Sequence, residues 1–225
     1  MTASVEHVSD SPYTDAGHVV LVDLDSTLFD TRRFGADLWR EIADHTTASA
    51  ETVRRDADAF RQNSLLGGYD FEQHVASYGL NQALMWRRLQ QLLATDSYLY
   101  DDAPEFIQGL RTDGFEPRIL SFGERRIQTA KIVSCMAELV GPNAVDLAFD
   151  VTNLPKRVPI SRHYPNRRGV LVDDVQGQQL PTGFIEINLD RSRNLQEPEA
   201  IVGGFVVSNL AQARSLIASL YDPSV

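Results

Sequence analysis

Asp23 and Asp25 follow directly on the apolar run Val19-Val20-Leu21-Val22, and the hydroxyl residues Ser26 and Thr27 come next. In an extended segment residues two apart project to the same side, so both carboxylates can face one small site. Carboxylates held that close repel unless a cation lies between them or one keeps a proton. A carboxylate pair, a cation and neighbouring hydroxyls are the parts of a phosphoryl-transfer site. The same residues would also suit a strand closed by an Asx turn, with Asp25, Ser26 and Thr27 as plain loop residues. The rest of the chain bears on that choice.

Val19 to Val22 has the length and β-branched content of a strand buried in a parallel sheet, and in such sheets chemistry sits beyond the carboxyl ends of the strands. Three later segments carry polar residues of the same kind. ILSFGE ends an apolar strand with Ser121, Phe122 and Gly123; VLVDD ends another with Asp173 and Asp174; Lys156 lies between them in NLPKRVPI, flanked by Pro155 and Pro159.

The elements that must position these residues fall into two patterns. From residue 33 to residue 99 the chain reads as helix, with apolar stripes at helical spacing: Leu38, Trp39, Ile42 and Ala43; Val53, Ala57 and Phe60; Met85, Leu89 and Leu92. Gly67, Gly68 and Gly79 punctuate them, and Trp39 and Trp86 are read as core. From Asp101 helices and strands alternate: helix 103–113, strand 117–121, helix 124–139, a strand near 146–150, strands 169–173, 184–189 and 204–207, and helix 208–220 with Ser208 as its N-cap. Alternation of this kind means an α/β protein with a parallel sheet and covering helices. A βαβ crossover takes about 30 residues, whereas about 100 separate Asp23 from Ser121, so a helical module is inserted after the first strand.

The order Asp-x-Asp, strand-end hydroxyl, Lys and late acidic pair resembles the haloacid dehalogenase superfamily of hydrolases. The resemblance covers almost the whole chain past residue 17 and implies a Rossmann-like, doubly wound parallel sheet with an all-helical cap inserted after the first motif. The division expected is a loose tail at 1–16, a catalytic core at 17–32 and 100–225, and a cap at 33–99. By resemblance Asp23 is the nucleophile that becomes an aspartyl phosphate, and Asp25 is the general acid and base. Mg²⁺, suited to an all-oxygen site, is expected on an Asp23 oxygen, the Asp25 backbone carbonyl and Asp173, with Asp174 ligating directly or through water. Ser121 and Lys156 are expected to hold the phosphoryl oxygens, helped by Ser26, Thr27, Phe122, Gly123 and backbone N–H groups near Asp25 and Gly123. Lys131, on the helix after Ser121, is the alternative lysine.

Asp25 also selects among the family's reactions. Members that break carbon–halogen bonds typically lack a second Asp at this place, so the resemblance implies a phosphatase acting on a small phosphorylated metabolite. A phosphomutase shares the Asp pair. A member that only binds a ligand is a further alternative, as is a phospho-accepting receiver module, although receivers are shorter and their acidic pair precedes the phosphorylated Asp.

Composition bounds the partners. At 225 residues, 43% hydrophobic and 23% charged, the chain can build a sizeable core, and no run approaches the ~18 apolar residues that span a bilayer. The polar start lacks the apolar region of a signal peptide, and one cysteine, Cys135, excludes an internal disulfide; both fit a cytoplasmic protein. A net charge of −10 argues against nucleic-acid or anionic-membrane partners. The basic stretch Ser161 to Arg168 reads as a solvated loop from which Arg162, His163 or Arg167 could meet an anionic substrate, as could Arg32 and Arg33 beside the first motif. His45 and His74 have no spaced partner that suggests zinc, and no function is assigned to them.

Overall fold

The computed structural model describes residues 18–63, 68–141 and 147–221 of the chain. The tail reading at 1–16, Gly67 and residue 146 of the expected third strand lie outside the described residues. In chain order the elements are β1 (Val19–Val22), α1 (Thr31–Ala43), α2 (Ala50–Asn63), α3 (Phe71–Ser77), α4 (Gln82–Thr95), α5 (Ala103–Thr112), β2 (Pro117–Phe122), α6 (Arg125–Val140), β3 (Phe149–Thr152), α7 (Arg157–His163), β4 (Gly169–Asp173), β5 (Phe184–Leu189), β6 (Glu199–Ile201), β7 (Gly204–Val207) and α8 (Leu210–Leu220).

The strands form one sheet in the order β3-β2-β1-β4-β5-β7-β6. Every pairing is parallel except β6 with β7. The chain runs outward from β1 through β2 to β3 and then returns to the other side of β1 with β4, so the topological switch lies at β1. That is where open α/β sheets bind their ligands. Val22 pairs with Val172 and Ile119, and the Asp23 N–H continues the ladder to the Val172 carbonyl at 2.8 Å. The ends of β1, β2 and β4 are thereby brought level.

Alternation along the strands divides the core. Val20, Val22, Val170, Val172 and Ile187 share one large cluster with Phe106 and Ile107 of α5, Ile127 and Ile132 of α6, and Leu210 and Ile217 of α8. Val19, Leu21, Leu120, Leu171 and Phe184 form a smaller cluster with Ile160 of α7. Fully burying one such side chain stabilises by roughly 1.5–3 kcal/mol, so a slip of any central strand by one residue is strongly disfavoured.

Helices α1 to α4 stand between β1 and α5. Their stripes are as expected at Leu38, Trp39, Ile42, Val53, Ala57, Met85 and Leu89, all buried. The two connecting segments run side by side: Asp30 N–H donates to the Tyr98 carbonyl at 2.6 Å and Tyr100 N–H to the Leu28 carbonyl at 2.9 Å. Phe29, Phe34 and Tyr98 pack edge on or tilted there, with centroids 5.2–5.6 Å apart. Trp86 is only partly buried, and Arg126 of α6 lies 3.9 Å above its ring while pairing with Glu72 of α3. This contact ties the inserted helices to the helix that follows β2.

Several local expectations change. The N-cap of α8 is Asn209, whose side chain accepts from Gln212 N–H, while Gln212 reaches back to Ser208 N–H. Residues 157–163 are helical, not loop. Pro159 is the third residue of α7, and the first N–H groups of a helix have no intrahelical acceptor, so a proline there costs no bond. The short β6 was not expected; its three residues carry too little pattern to read. Among the described residues no helix is long and apolar enough to cross a membrane.

Candidate active site

The loop after β1 wraps around one carbonyl. Thr27, Leu28 and Phe29 N–H groups all point to Leu24 O at 2.9–3.3 Å. Ser26 adopts a left-handed conformation at φ 61, its N–H donating to Phe29 O at 2.8 Å and to Thr31 Oγ1 at 3.2 Å. Behind this loop Arg191, at the end of β5, donates to both oxygens of Asp102 and to the Thr27 carbonyl at 2.8 Å. The loop is over-determined, which is what keeps a non-glycine residue at positive φ.

Asp23 is buried, and Lys156 donates to its Oδ1 and, at 2.6 Å, to Asp173 Oδ2. Carboxylate oxygens of Asp23, Asp173 and Asp174 all lie within 4.8 Å of one another. Burial pushes the Asp23 carboxyl well above the usual carboxylate range; Lys156 opposes this, and Asp173 and Asp25 add to it. Asp174 is pushed up to about 6 by burial and by Asp173. Burial works against the Lys156 ammonium, but Asp23 and Asp173 outweigh it and hold its pKa above the ordinary value. Three converging carboxylates with one lysine leave a deficit of positive charge, and an all-oxygen donor set of this kind fits Mg²⁺.

Asp25 has different partners. Its Oδ1 accepts from Lys131 Nζ at 2.7 Å and Thr31 Oγ1 at 2.6 Å, and its Oδ2 from Gln128 Nε2. Burial would raise this carboxyl, yet Lys131, Gln128 and Thr31 together hold it below the usual range. Gln128 also donates to Ser121 Oγ at 3.0 Å and Phe122 O at 2.9 Å. Gly123 sits at φ 148, and a Cβ there would meet Gln128 Nε2 at 2.9 Å. Glycine is therefore what lets Gln128 reach the strand end.

Two cavities meet at Asp25, Arg61 and Phe122. The larger, about 840 Å³, is walled by Asp23, Ser26, Lys156, Asp173 and Asp174; the smaller, about 250 Å³, by Thr31, Tyr69, Gln128 and Lys131. Gly123 lines the smaller one. The fold thus brings together Asp23, Asp25, Ser26, Lys156, Asp173 and Asp174, with Phe122 beside them.

The other expected residues differ in exposure and partners. Thr27 is fully buried behind the loop and lines neither cavity. Arg162 is exposed in the last turn of α7, at the opposite end of that helix from Lys156. Ser121 is fully buried, its hydroxyl accepting from Gln128. The Gly123 N–H donates to Thr152 O at 2.9 Å. Arg33 points away, to Ser97 O and Asp96.

Thr31, Arg61, Gln128, Glu186 and Asn188 were not expected at or behind the site. The only sequence signal among them is FIEINL, an otherwise apolar strand with two polar residues two apart. His74 is a core residue: fully buried, its Nδ1 is 2.8 Å from Tyr69 Oη, and Nε2 has no hydrogen-bond partner among the described residues.

Comparison with known proteins bears on the whole arrangement. A sequence model described as a haloacid dehalogenase-like hydrolase matches residues 18–157. No curated protein matches the chain. Among solved structures, a magnesium-bound HAD-hydrolase from Bacillus subtilis, YfnB, is 16% identical with a TM-score of 0.57, covering 89% of this chain and 98% of its own. A dehalogenase is 20% identical with a TM-score of 0.57, covering 91% and 99%. A HAD phosphatase from Thermococcus onnurineus is 14% identical with a TM-score of 0.57, covering 88% and 97%. At these identities the structural likeness carries the fold alone, with both dehalogenase and phosphatase among its neighbours. The matched sequence model, spanning β1 to the first residue of α7 and so including Asp23, Asp25 and Lys156, makes the chain a member of the haloacid dehalogenase-like hydrolases.

Proposed function

We propose that this hydrolase is a Mg²⁺-dependent phosphatase of a small phosphorylated compound, with Asp23 as nucleophile and Asp25 as general acid and base. The observation that carries the reading is Asp25, a second carboxylate beside the first, supplied with three side-chain donors of its own. Breaking a carbon–halogen bond releases halide, which needs no proton; breaking a phosphate ester releases an alkoxide, which does.

In the first half-reaction an Asp23 oxygen attacks phosphorus, the ester P–O bond breaks, and the leaving oxygen takes a proton from Asp25. In the second, Asp25 takes a proton from water, whose oxygen attacks phosphorus and releases phosphate and the free Asp23 carboxylate. The clamp of Lys131, Gln128 and Thr31 favours the Asp25 anion. That suits the second half-reaction and makes the first the more demanding of this residue. Lys156, between Asp23 and Asp173, keeps the nucleophile oriented and offers its ammonium to a phosphoryl oxygen.

Asp23, Asp173 and Asp174 would hold the cation, with the Asp25 carbonyl as the further protein ligand. When bound, Mg²⁺ supplies charge neutralisation for a dianionic ester approaching a carboxylate. We assign residues 33–99, which hold α1 from its third residue through to α4, to a cap over a core of residues 17–32 and 100–225. Arg61 and Tyr69 in the cavity walls support this, as do the paired connecting segments. Closure about those segments would exclude water from the site.

The test is inorganic phosphate release from a generic aryl phosphate, with and without Mg²⁺, by wild type and Asp23→Asn. Metal-dependent turnover lost in the variant is expected. Turnover that survives Asp23→Asn would overturn the assignment of the nucleophile, and halide release without phosphatase activity would overturn the reaction class.

A further inference from the structure

Strand β5 is buried between β4 and β7, yet it carries Glu186 and Asn188, which are only 6% and 5% exposed. A carboxylate and an amide in such a place are costly unless their hydrogen bonds are made. Being two apart they project to the same side of the strand. Their partners all belong to one segment, the loop that leaves β4 after Asp173.

Glu186 Oε1 accepts from Gly177 N–H at 2.7 Å and its Oε2 from Gln178 N–H at 3.2 Å. Asn188 Nδ2 donates to the carbonyls of Asp173 at 3.3 Å and Asp174 at 3.1 Å. Asp173 Oδ1 in turn accepts from Val175 N–H at 2.9 Å. Four backbone groups of residues 173–178 are thus held by two side chains of the neighbouring strand, acceptor facing donors at one end of the loop and donor facing acceptors at the other. Neither side chain lines either of these two cavities. Burial raises the Glu186 carboxyl, and the two N–H groups offset part of that.

We infer that Glu186 and Asn188 are positioning residues for the divalent-cation site, fixing the 173–178 loop so that the Asp173 and Asp174 carboxylates converge on Asp23. The inference rests on the metal reading above. It explains why a strand that could have been wholly apolar keeps two buried polar side chains. Groups that orient metal ligands from behind typically change metal affinity by 10–100-fold when removed.

The experiment is calorimetric titration of Mg²⁺ into metal-free protein, with no substrate present. Wild type, Glu186→Gln, Asn188→Leu and Ile187→Val are compared, each first shown to be folded by its thermal melt. Ile187 is buried on the same strand and touches the apolar core, so its variant reports general loosening of β5. About a tenfold weaker Mg²⁺ Kd is expected for Glu186→Gln and for Asn188→Leu, with Ile187→Val within twofold of wild type. An unchanged Kd in either folded polar variant overturns the role of that residue, and equal weakening in Ile187→Val overturns it for both. If wild type itself takes up no Mg²⁺, this inference and the metal reading fall together; if wild type binds and the variants bind equally, only this inference falls.

Discussion

Lys131 Nζ lies 2.7 Å from Asp25 Oδ1, so the lysine of α6 serves the second carboxylate of the first motif and not the first. Lys156 takes Asp23 and Asp173. The two lysines therefore divide the acidic site between them. Lys131 is nearly buried, its ammonium 5.2 and 5.3 Å from the ring centroids of Phe29 and Phe34 at the base of the inserted helices. Its charge is committed to Asp25 from one side and to aromatic faces from the other.

Replacing Lys131 by Met removes one of three donors on Asp25 while keeping the length of the stem. A fall in kcat of about 10–100-fold is expected, or about 1.4–2.8 kcal/mol of barrier, with KM moving less than kcat. Lys131→Arg should recover part of the loss. Steady-state phosphate release measures both, and an unchanged kcat in Lys131→Met would remove Lys131 from any role in positioning Asp25.

Lys156→Met leaves Asp23 and Asp173 buried without their shared cation. Removing one member of a buried pair costs about 3–5 kcal/mol, and a ligand that binds only the native state recovers stability by mass action. The metal-free variant should melt well below wild type, and saturating Mg²⁺ should raise its Tm by more than it raises that of wild type. Equal shifts in the two proteins would mean that Lys156 and the cation do not answer the same charge.

Gly123→Ala combines a positive φ with a Cβ at 2.9 Å from Gln128 Nε2. The strain is worth about 1–3 kcal/mol, and relief requires Gln128 to withdraw from Asp25. Lower stability in urea together with lower kcat is expected. A variant that loses stability but keeps full kcat would show that Gln128 is not needed on Asp25.

Arg61 reaches both cavities from α2, far in sequence from the acidic residues it faces. If α1 to α4 act as a cap that reads substrate, Arg61→Met should raise KM for a phosphorylated substrate by about tenfold and alter kcat less, corresponding to about 1.4 kcal/mol of uniform binding. A kcat loss at constant KM would instead put Arg61 at the transition state.

His74 makes one separable contribution to the pH dependence of stability. Burial lowers its pKa to about 4, with Asp56 opposing and Arg61 adding to the shift. A histidine whose folded pKa lies below the unfolded value of about 6.5 contributes stability that is present above pH 6.5 and is lost as pH falls toward 4. By pH 5 the loss is about 2 kcal/mol relative to pH 8. Asp23 and Asp174, whose carboxyls burial raises, contribute in the opposite sense over this range, so the histidine is read as a difference. In urea denaturation the stability of wild type relative to His74→Leu should fall by about 2 kcal/mol from pH 8 to pH 5, and a constant difference would remove His74 from the titration.

The residues alone make β1, β4, β5 and β7 legible, together with the carboxylates that close β1 and β4. An apolar β-branched run closed by Asp-x-Asp, and another closed by Asp173-Asp174, state both burial and chemistry within a few residues, because period-two side-chain geometry is local. The stripes of the inserted helices were legible for the same reason at period 3.6. Tertiary structure alone decided which lysine meets which carboxylate, since those pairs are separated by 106 and 133 residues and only the packing of α6 and α7 on the sheet sets them. It decided that Gln128 donates to Ser121 and that the Gly123 amide bonds Thr152. It also decided that Arg61 lines both cavities and that Glu186 and Asn188 bond the backbone of the acidic loop. A lone Gln, Arg or Glu has no spacing to betray its partner; the partner is fixed only when distant segments pack, because buried polar groups must find one another there.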